Sequence, residues 1–270
     1  MPPDKTTSIE ITRFAGETFE QADDLVAIEE PLEIRAAWQV DGEPREKTIS
    51  VTMRTPGDDF DLAAGFLFTE GLLRDGGDIE SVRHWGSPNQ VRVALAPHAR
   101  IDASKLDRHF YTTSSCGVCG KTSIDALYVA ARPPAAQPPI ASSVVRRLPR
   151  ALQEAQTAFN ATGGVHGAAL FDAGGTLLRL REDVGRHNAV DKVIGSYLRE
   201  RENPFAGSIL VVSSRGSFEI VQKAVVAGIG TVAFIGGPSS LAVELARRFH
   251  ITLLGFVRDG RFNVYSGRVA

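Results

Sequence analysis

Residues 209–257 read ILVVSSRGSFEIVQKAVVAGIGTVAFIGGPSSLAVELARRFHITLLGFV. Short, uninterrupted apolar runs alternate here with segments of helical character. The runs are Ile209–Val212, Thr231–Ile235 and Ile251–Val257, and the helical segments are Phe218–Ala227 and Ser240–Phe249. Apolar strands that alternate with helices are typical of a mainly parallel sheet covered on both faces. The stretch therefore predicts an α/β fold.

The flanking segments extend this pattern. Asn188–Arg199 is the clearest helix of the chain, because its apolar residues follow the i, i+3, i+4, i+7, i+8 spacing of a core-facing helix. Ala168–Phe171 and Leu177–Arg181 are predicted strands before it. After the Asp259-Gly260 turn we expect a last strand, Arg261–Tyr265, to join an edge of the sheet antiparallel to its neighbour.

A proline-rich connector separates this region from the N-terminal part. Four prolines within Arg132–Pro139 exclude a helix or a central strand there. We therefore predict an α+β N-terminal domain at residues 1–135 and an α/β cofactor-binding domain at residues 136–270. The N-terminal domain is expected to contain a helix at Asp59–Leu73, a second at Lys121–Ala131, and strands at Glu33–Val40, Lys47–Arg54, Ile79–Trp85 and Gln90–Ala96.

Composition narrows the class of protein. The 270 residues are 43% hydrophobic and 23% charged, which fits a soluble globular chain with a proper core. A formal net charge of -2 gives no general reason to expect a nucleic-acid partner. The polar N-terminus does not have the pattern of a signal peptide, and no apolar stretch is long enough to span a bilayer. We expect a cytoplasmic protein with no membrane partner.

Both cysteines of the chain, Cys116 and Cys119, lie in the short segment Ser114–Lys121. The adjacent Lys121 and the N-terminus of the predicted helix would lower the pKa of the thiols and favour nucleophilic thiolates. Cys116 and Cys119 are therefore the candidate catalytic residues. A dimer could instead complete a four-cysteine zinc site. A thioredoxin-type exchange site normally has an aromatic residue before the first cysteine, where this chain has Ser115.

Three successive strand-end turns, each preceding a predicted helix, contain residues suited to binding an anion. Helix N-termini and turns rich in Gly, Ser and Arg at the ends of α/β strands favour phosphate groups. The candidate residues are Arg186, His187, Ser214, Arg215, Ser217, Pro238, Ser239 and Ser240. His166, in a glycine-rich turn, is a weaker candidate. Alternatively, Asp183 and Asn188 only cap the helix while Arg186 pairs with Glu182.

With these residues assembled, the chain resembles the FdhD/NarQ family of formate dehydrogenase accessory sulfurtransferases. The resemblance extends along most of the chain, through several long motifs. These motifs are Glu29–Leu32, Met53–Gly57, Gly65–Gly71, Ser114–Lys121, Arg181–Lys192, Ser214–Lys223 and Pro238–Ala242.

The resemblance implies a sulfurtransferase that accepts sulfur from a cysteine desulfurase as a persulfide on Cys116. The sulfur would pass to the bis-molybdopterin guanine dinucleotide cofactor, which is the substrate. This transfer would be needed for formate dehydrogenase activity. GDP would mimic its nucleotide end. Family members contact the cofactor through the strand that matches Gly255, Phe256, Val257, Arg258, Asp259, Gly260 and Arg261. Cys119 could accept the sulfur in turn or release it by closing a disulfide.

The resemblance also implies a homodimer and a C-terminal three-layer α/β domain of cytidine-deaminase-like fold. The deaminase zinc signature H-x-E with P-C-x-x-C is absent, since Asn188 follows His187 and Ser115 precedes the first cysteine. We therefore expect no catalytic metal of its own. The alternative functions are a cofactor-binding chaperone without sulfur chemistry and a structural zinc protein.

Overall fold

The computed structural model describes residues 4–99 and 133–270. Its N-terminal part contains a two-stranded hairpin and a four-stranded sheet of order β4-β3-β6-β5. The helix α1 covers one face of this sheet, and a 3-10 turn at Gly76–Asp78 follows it. The elements are β1 (Thr6–Ala15), β2 (Thr18–Ala27), β3 (Glu30–Val40), β4 (Glu43–Arg54), α1 (Asp59–Thr69), β5 (Ile79–Trp85) and β6 (Ser87–Leu95).

The four strands predicted in this part are confirmed, but α1 is shorter than predicted. It ends at Thr69 because Gly71, at φ +74°, turns the chain in the left-handed region. The amide of Gly71 donates to the carbonyl of Phe68, and that of Leu72 donates to the carbonyl of Leu67, both at 2.8 Å. This is a Schellman motif, a common helix ending that favours glycine. The hairpin β1–β2 was not predicted, because most of its side chains are exposed.

The C-terminal part contains a six-stranded sheet of order β12-β11-β10-β9-β7-β8. Its strands are β7 (His166–Phe171), β8 (Leu177–Asp183), β9 (Ile209–Val212), β10 (Thr231–Phe234), β11 (Thr252–Arg258) and β12 (Arg261–Ser266). Its helices are α2 (Ser142–Ala155), α3 (Thr157–Thr162), α4 (Arg186–Glu200), α5 (Phe218–Ala227) and α6 (Ser240–Arg248). No helix among the described residues is long and apolar enough to cross a membrane.

The prediction of a mainly parallel sheet is wrong, because the sheet is mixed. The strands β9, β10 and β11 run parallel to one another, whereas β7 and β8 form an antiparallel hairpin beside β9. A tight turn between Asp172 and Thr176 joins β7 to β8, and so short a connection reverses the chain direction. The antiparallel position of β12 at the edge is confirmed.

The sheet is buried on both faces, as the apolar runs predict. Along β9, Ile209 and Val211 pack in the cluster that contains α2, whereas Leu210 and Val212 pack in the cluster that contains α4, α5 and α6. The mixed α/β class is therefore confirmed, and the cytidine-deaminase-like topology stays a prediction. The helix α2 was not predicted, because it follows the proline-rich connector directly and contains Pro149.

The helices α1 and α4 touch backbone to backbone. A Cβ atom at Gly65 would lie 1.9 Å from the carbonyl oxygen of Asp191, and one at Gly195 would lie 1.9 Å from that of Asp61. Only glycine allows such an approach. The contact joins the N-terminal sheet and the C-terminal sheet through one continuous apolar core. The boundary between residues 135 and 136 stays a prediction.

We predict that Gly65→Ala and Gly195→Ala each destabilise the protein by about 3 kcal/mol, because the new methyl group must push two helix backbones apart. At an ordinary helical position the same replacement would stabilise the helix by roughly 1 kcal/mol. Urea unfolding of each variant measures the difference. Glu244→Ala, at an exposed position of α6, is the control and should stay within about 0.5 kcal/mol of the parent. A stability gain in either glycine variant would contradict the contact.

Candidate functional site

A cavity of about 740 Å³ opens at the C-terminal ends of the parallel strands. The ends of parallel strands are the usual ligand site of open α/β sheets, and the volume is typical of small-molecule sites. Three segments form its walls. They are the region of α2 and α3 with Arg150, Gln153 and Gln156, the turn Gly163–His166 that leads into β7, and the strand-end residues Ser213, Ile235, Val257, Arg258 and Asp259.

Two glycines shape the cavity. Gly163, at φ +66°, ends α3 and donates its amide to the carbonyl of Phe159 at 2.7 Å, which directs the chain into the turn before β7. Gly167 lies beneath the side chain of Gln156, where a Cβ atom would be 2.7 Å from Cδ and Nε2 of the amide. The side chain of Gln156 can therefore occupy the cavity wall only because residue 167 is glycine.

The polar groups of the cavity favour an anion. Arg150, Arg258 and Asp259 lie on its walls, and Arg150 also pairs with Glu154 at 2.7 Å. The guanidinium of Arg258 is held by the carbonyls of Ile235 and Val257. Burial lowers the pKa of His166, and the nearby charge of Arg186 lowers it further, so this imidazole is neutral at neutral pH. Arg186 thus adds positive potential beside the cavity.

The turn between β8 and α4 is fixed by the buried carboxylate of Asp183. It accepts hydrogen bonds from the amide of Gly185 at 2.7 Å, the side chain of Asn188 at 3.1 Å and the amide of Thr55 at 3.2 Å. Lys192 lies 2.7 Å away and is completely buried. The carboxylate therefore connects the start of α4 to the N-terminal part of the chain.

The alternative in which Glu182 pairs with Arg186 is wrong. The carboxylate of Glu182 accepts the amides of Ala158 at 2.9 Å and Phe159 at 2.8 Å, and so caps α3. Within the described residues, Nε of Arg186 is buried without a hydrogen-bond partner. The N-cap residue of α4 is Gly185, which has no side chain to accept a hydrogen bond from the first amides of the helix.

The predicted strand-end turns are hydrogen-bonded to one another. The amide of Gly216 donates to the carbonyl of Gly237 at 3.1 Å, and the carbonyl of Gly216 accepts from the amide of Ser239 at 2.9 Å. The amide of Gly236 donates to the carbonyl of Ser214 at 3.0 Å. The hydroxyls of Ser217 and Ser239 cap α5 and α6. Six residues of these turns do not line the cavity, and their role in binding a ligand stays a prediction. They are Ser214, Arg215, Ser217, Pro238, Ser239 and Ser240.

His187 connects α4 to α5 beside these turns. Its Nε2 lies 3.2 Å from the hydroxyl of Ser217 and 3.3 Å from a carboxylate oxygen of Glu219. These contacts give His187 a structural role, and a role in ligand binding stays a prediction.

The C-terminal strand reaches the cavity through Val257, Arg258 and Asp259. The preceding Phe256 has a left-handed φ of +51° and places its ring against Gly237, where a Cβ atom would lie 2.6 Å from the ring. Of the other predicted residues, Gly255 packs against Pro238 and Tyr265, Gly260 forms the turn at φ +89°, and Arg261 begins β12.

Cys116, Cys119 and the predicted helix Lys121–Ala131 lie outside the described residues. Within the described ranges there is no group of three or more His, Cys, Asp or Glu side chains placed to hold a metal ion. Sequence reasoning missed Arg150 and Gln156 as cavity residues. The apolar stripe Val144, Val145, Leu148 and Leu152 was the available signal for α2, which would have pointed to Arg150 and Gln156.

The mixed sheet and the cavity at its strand ends define an α/β protein with a candidate anion site. Comparison with known proteins then identifies the family, because the model of the FdhD/NarQ family matches residues 27–270. The chain belongs to the FdhD/NarQ family.

Relatives and a solved structure agree with this assignment. The chain is 47% identical over 263 residues to the sulfur carrier protein FdhD of Streptomyces coelicolor, covering 93% of this chain and 90% of the relative. It is 46% identical over 264 residues to that of Mycolicibacterium paratuberculosis, covering 93% of each. The crystal structure of a proposed formate dehydrogenase accessory protein from Desulfotalea psychrophila superposes with a TM-score of 0.78 at 25% identity. The match covers 99% of this chain and 100% of that one.

We predict that Lys192→Met destabilises the protein by about 3–5 kcal/mol, because it leaves the carboxylate of Asp183 buried without its cation. The double variant Lys192→Met/Asp183→Leu should lose less than the sum of the two single variants, since the two residues interact directly. Urea unfolding measures all three. The control Lys5→Met breaks a more exposed pair with Asp58 and should cost at most about 1 kcal/mol. Additive losses in the double variant would show that the pair contributes nothing.

We predict that His166 makes the protein less stable in acid. Because its folded pKa lies below the ordinary value of 6.5, the unfolded chain binds a proton more readily, and stability falls as the pH drops below 6.5. His166→Asn should lose less stability than the parent between pH 7.5 and pH 5.5 in urea unfolding. The exposed His250→Asn is the control and should follow the parent. An identical pH dependence in His166→Asn would contradict the prediction.

Proposed function

We propose that the protein is a cytoplasmic sulfurtransferase that carries sulfur for formate dehydrogenase. It would accept sulfur from a cysteine desulfurase as a persulfide on Cys116 and pass it to the bis-molybdopterin guanine dinucleotide cofactor. The main support is that both cysteines of the chain lie together in Ser114–Lys121, in a chain that is 47% identical to a protein named as a sulfur carrier.

Uptake is a thiol–persulfide exchange. The thiolate of Cys116 attacks the terminal sulfur of the donor persulfide, so the donor S–S bond breaks and a new S–S bond forms on Cys116. The donor cysteine leaves as a thiolate. The proton of the donor persulfide, which is bound to the terminal sulfur, stays on that sulfur during the transfer. The exchange involves no net oxidation and needs no external reductant. Lys121 next to the CxxC pair would favour the attacking thiolate.

Delivery can use Cys119 in two ways. Its thiolate can attack the terminal sulfur and take the persulfide over, which moves the sulfur by one exchange. It can instead attack the Cys116 sulfur, which closes a disulfide and releases hydrosulfide. The second route reduces the carried sulfur to hydrosulfide and oxidises the two cysteines to a disulfide. A dithiol reductant must therefore reduce this disulfide before the next cycle.

The cavity at the strand ends would hold one nucleotide arm of the cofactor, which is the substrate of the reaction. Arg150, Arg258 and the nearby Arg186 would bind the diphosphate, as guanidinium groups do. The carboxylate of Asp259 could accept the ring N–H and the amino group of guanine. A homodimer would offer a second cavity to the second arm. GDP is the simplest probe of this site.

Intact-mass spectrometry tests the carrier role. After incubation with a cysteine desulfurase and cysteine, without reductant, the protein should gain the mass of one or more sulfur atoms. The gain should be absent in Cys116→Ala, present in the matched control Cys119→Ala, and removed by a thiol reductant, because persulfides are reducible.

An unchanged mass in the parent protein, with both thiols free and accessible, would contradict sulfur transfer. The protein would then be a cofactor-binding chaperone. Release of hydrosulfide only when Cys119 is present would favour the disulfide route, and a persulfide on Cys119 would favour the relay.

A further inference from the structure

The side chain of Gln156 is buried in the cavity wall without a partner for its nitrogen. The residue is 3% exposed and lines the cavity together with His166 and Ser213. Within the described part of the chain, its Nε2 has no hydrogen-bond partner. The side chain belongs to the residue that separates α2 from α3, so two helices fix its position.

This arrangement costs stability in the absence of a ligand. A buried amide that makes no hydrogen bond is less favourable than a paired one, because it has lost its contacts with water and gained none in return. The glycine at position 167 leaves the space that the amide occupies, since any side chain there would collide with it. An apolar side chain of similar volume would fill this space without the cost. The amide therefore suits a group that arrives from the cavity.

We propose that the amide of Gln156 donates to the ring carbonyl oxygen of a 2-amino-4-oxopyrimidine ring, the ring shared by guanine and pterin. The assignment rests on the proposed function, which places one arm of the cofactor in this cavity. The Nε2 donor of the amide matches the ring carbonyl, while the ring N–H and the amino group are left to Asp259. With Nε2 directed at this position, as in the structure, the amino group that adenine carries in place of the oxygen would put a donor against a donor.

Equilibrium binding of GDP, ADP and free pterin to the parent and to Gln156→Leu tests the assignment. The parent should bind GDP more tightly than ADP by about tenfold or more, the effect of one or two polar contacts. Gln156→Leu should lose about tenfold in GDP affinity with little change for ADP, so the preference disappears. A selective loss of pterin binding would show that the pterin end occupies the cavity, and would support the same ring contact.

Stability measurements separate this role from a structural one. Gln156→Leu should be at least as stable as the parent in urea unfolding, because it removes an unpaired buried polar group. Gln156→Met is the second variant if the leucine does not fit. Gln39→Leu is the matched control, since Gln39 is exposed on β3 and does not line the cavity, so this variant should keep the GDP preference.

Equal losses of GDP affinity and ADP affinity in Gln156→Leu would overturn the ring contact. They would indicate that the amide binds a phosphate group instead. Unchanged GDP and pterin binding in Gln156→Leu would also overturn it, and so would a parent protein that binds neither probe. The last result would remove the cofactor site from the proposed function as well. Sulfur uptake on Cys116 is judged separately by the mass measurement.

Discussion

Two buried ion pairs at adjacent residues of α4 hold the two parts of the chain together. Lys192 lies 2.7 Å from Asp183 and donates to the carbonyl of Thr55 at 2.8 Å. Asp191 accepts from Lys223 at 2.9 Å and from Thr69 at 2.8 Å. Burial lowers the pKa of Lys223, but the combined charges of Asp191, Glu70 and Glu219 raise it by more, so this lysine stays protonated. Removing one partner of such a pair is costly, which makes α4 the anchor of the fold.

The same anchor determines the shape of the cavity. At the end of β8, Asp183 fixes the start of α4, while the neighbouring Glu182 caps α3. The first contact places Arg186 beside His166, and the second places Gln156 and the Gly163 turn in the cavity wall. Two consecutive carboxylates thus hold neighbouring segments of one cavity wall. Helix–helix contact at Gly65 and Gly195 keeps α4 against the N-terminal sheet.

Local patterns were sufficient to predict most of the C-terminal sheet. Continuous apolar runs and the 3.6-residue period gave β9, α5 and the core helix α4 within about two residues, because burial on both faces leaves a strong sequence signal. The direction of β7 and β8 was not predictable in this way, since it depends on a short turn and on pairing between distant segments. The hairpin β1–β2 gives a weak signal because both of its faces are largely exposed.

The residues of the cavity could also be predicted from the sequence only in part. Val257, Arg258 and Asp259 were found through family resemblance, whereas Arg150 and Gln156 depend on how α2 packs across the sheet. Thr55 and Asp183 are 128 residues apart, and nothing in either local sequence indicates their contact. The hydrogen bonds that shape the site join distant parts of the chain. Sequence periodicity reports only neighbours along a helix or strand, so it cannot supply such pairs.

A carrier that delivers sulfur must hold its substrate without blocking the reacting end. In the proposed function, the cavity binds a guanine nucleotide arm, which is chemically remote from the metal end of the cofactor. Binding energy gained at a remote group can position the reacting group without contacting it. Arginine side chains and a buried amide suit this task, because phosphates and a ring carbonyl do not change during the transfer. In the proposed function the cysteines then need only reach the exposed end of the cofactor, so binding and sulfur chemistry can be assigned to different segments of the sequence.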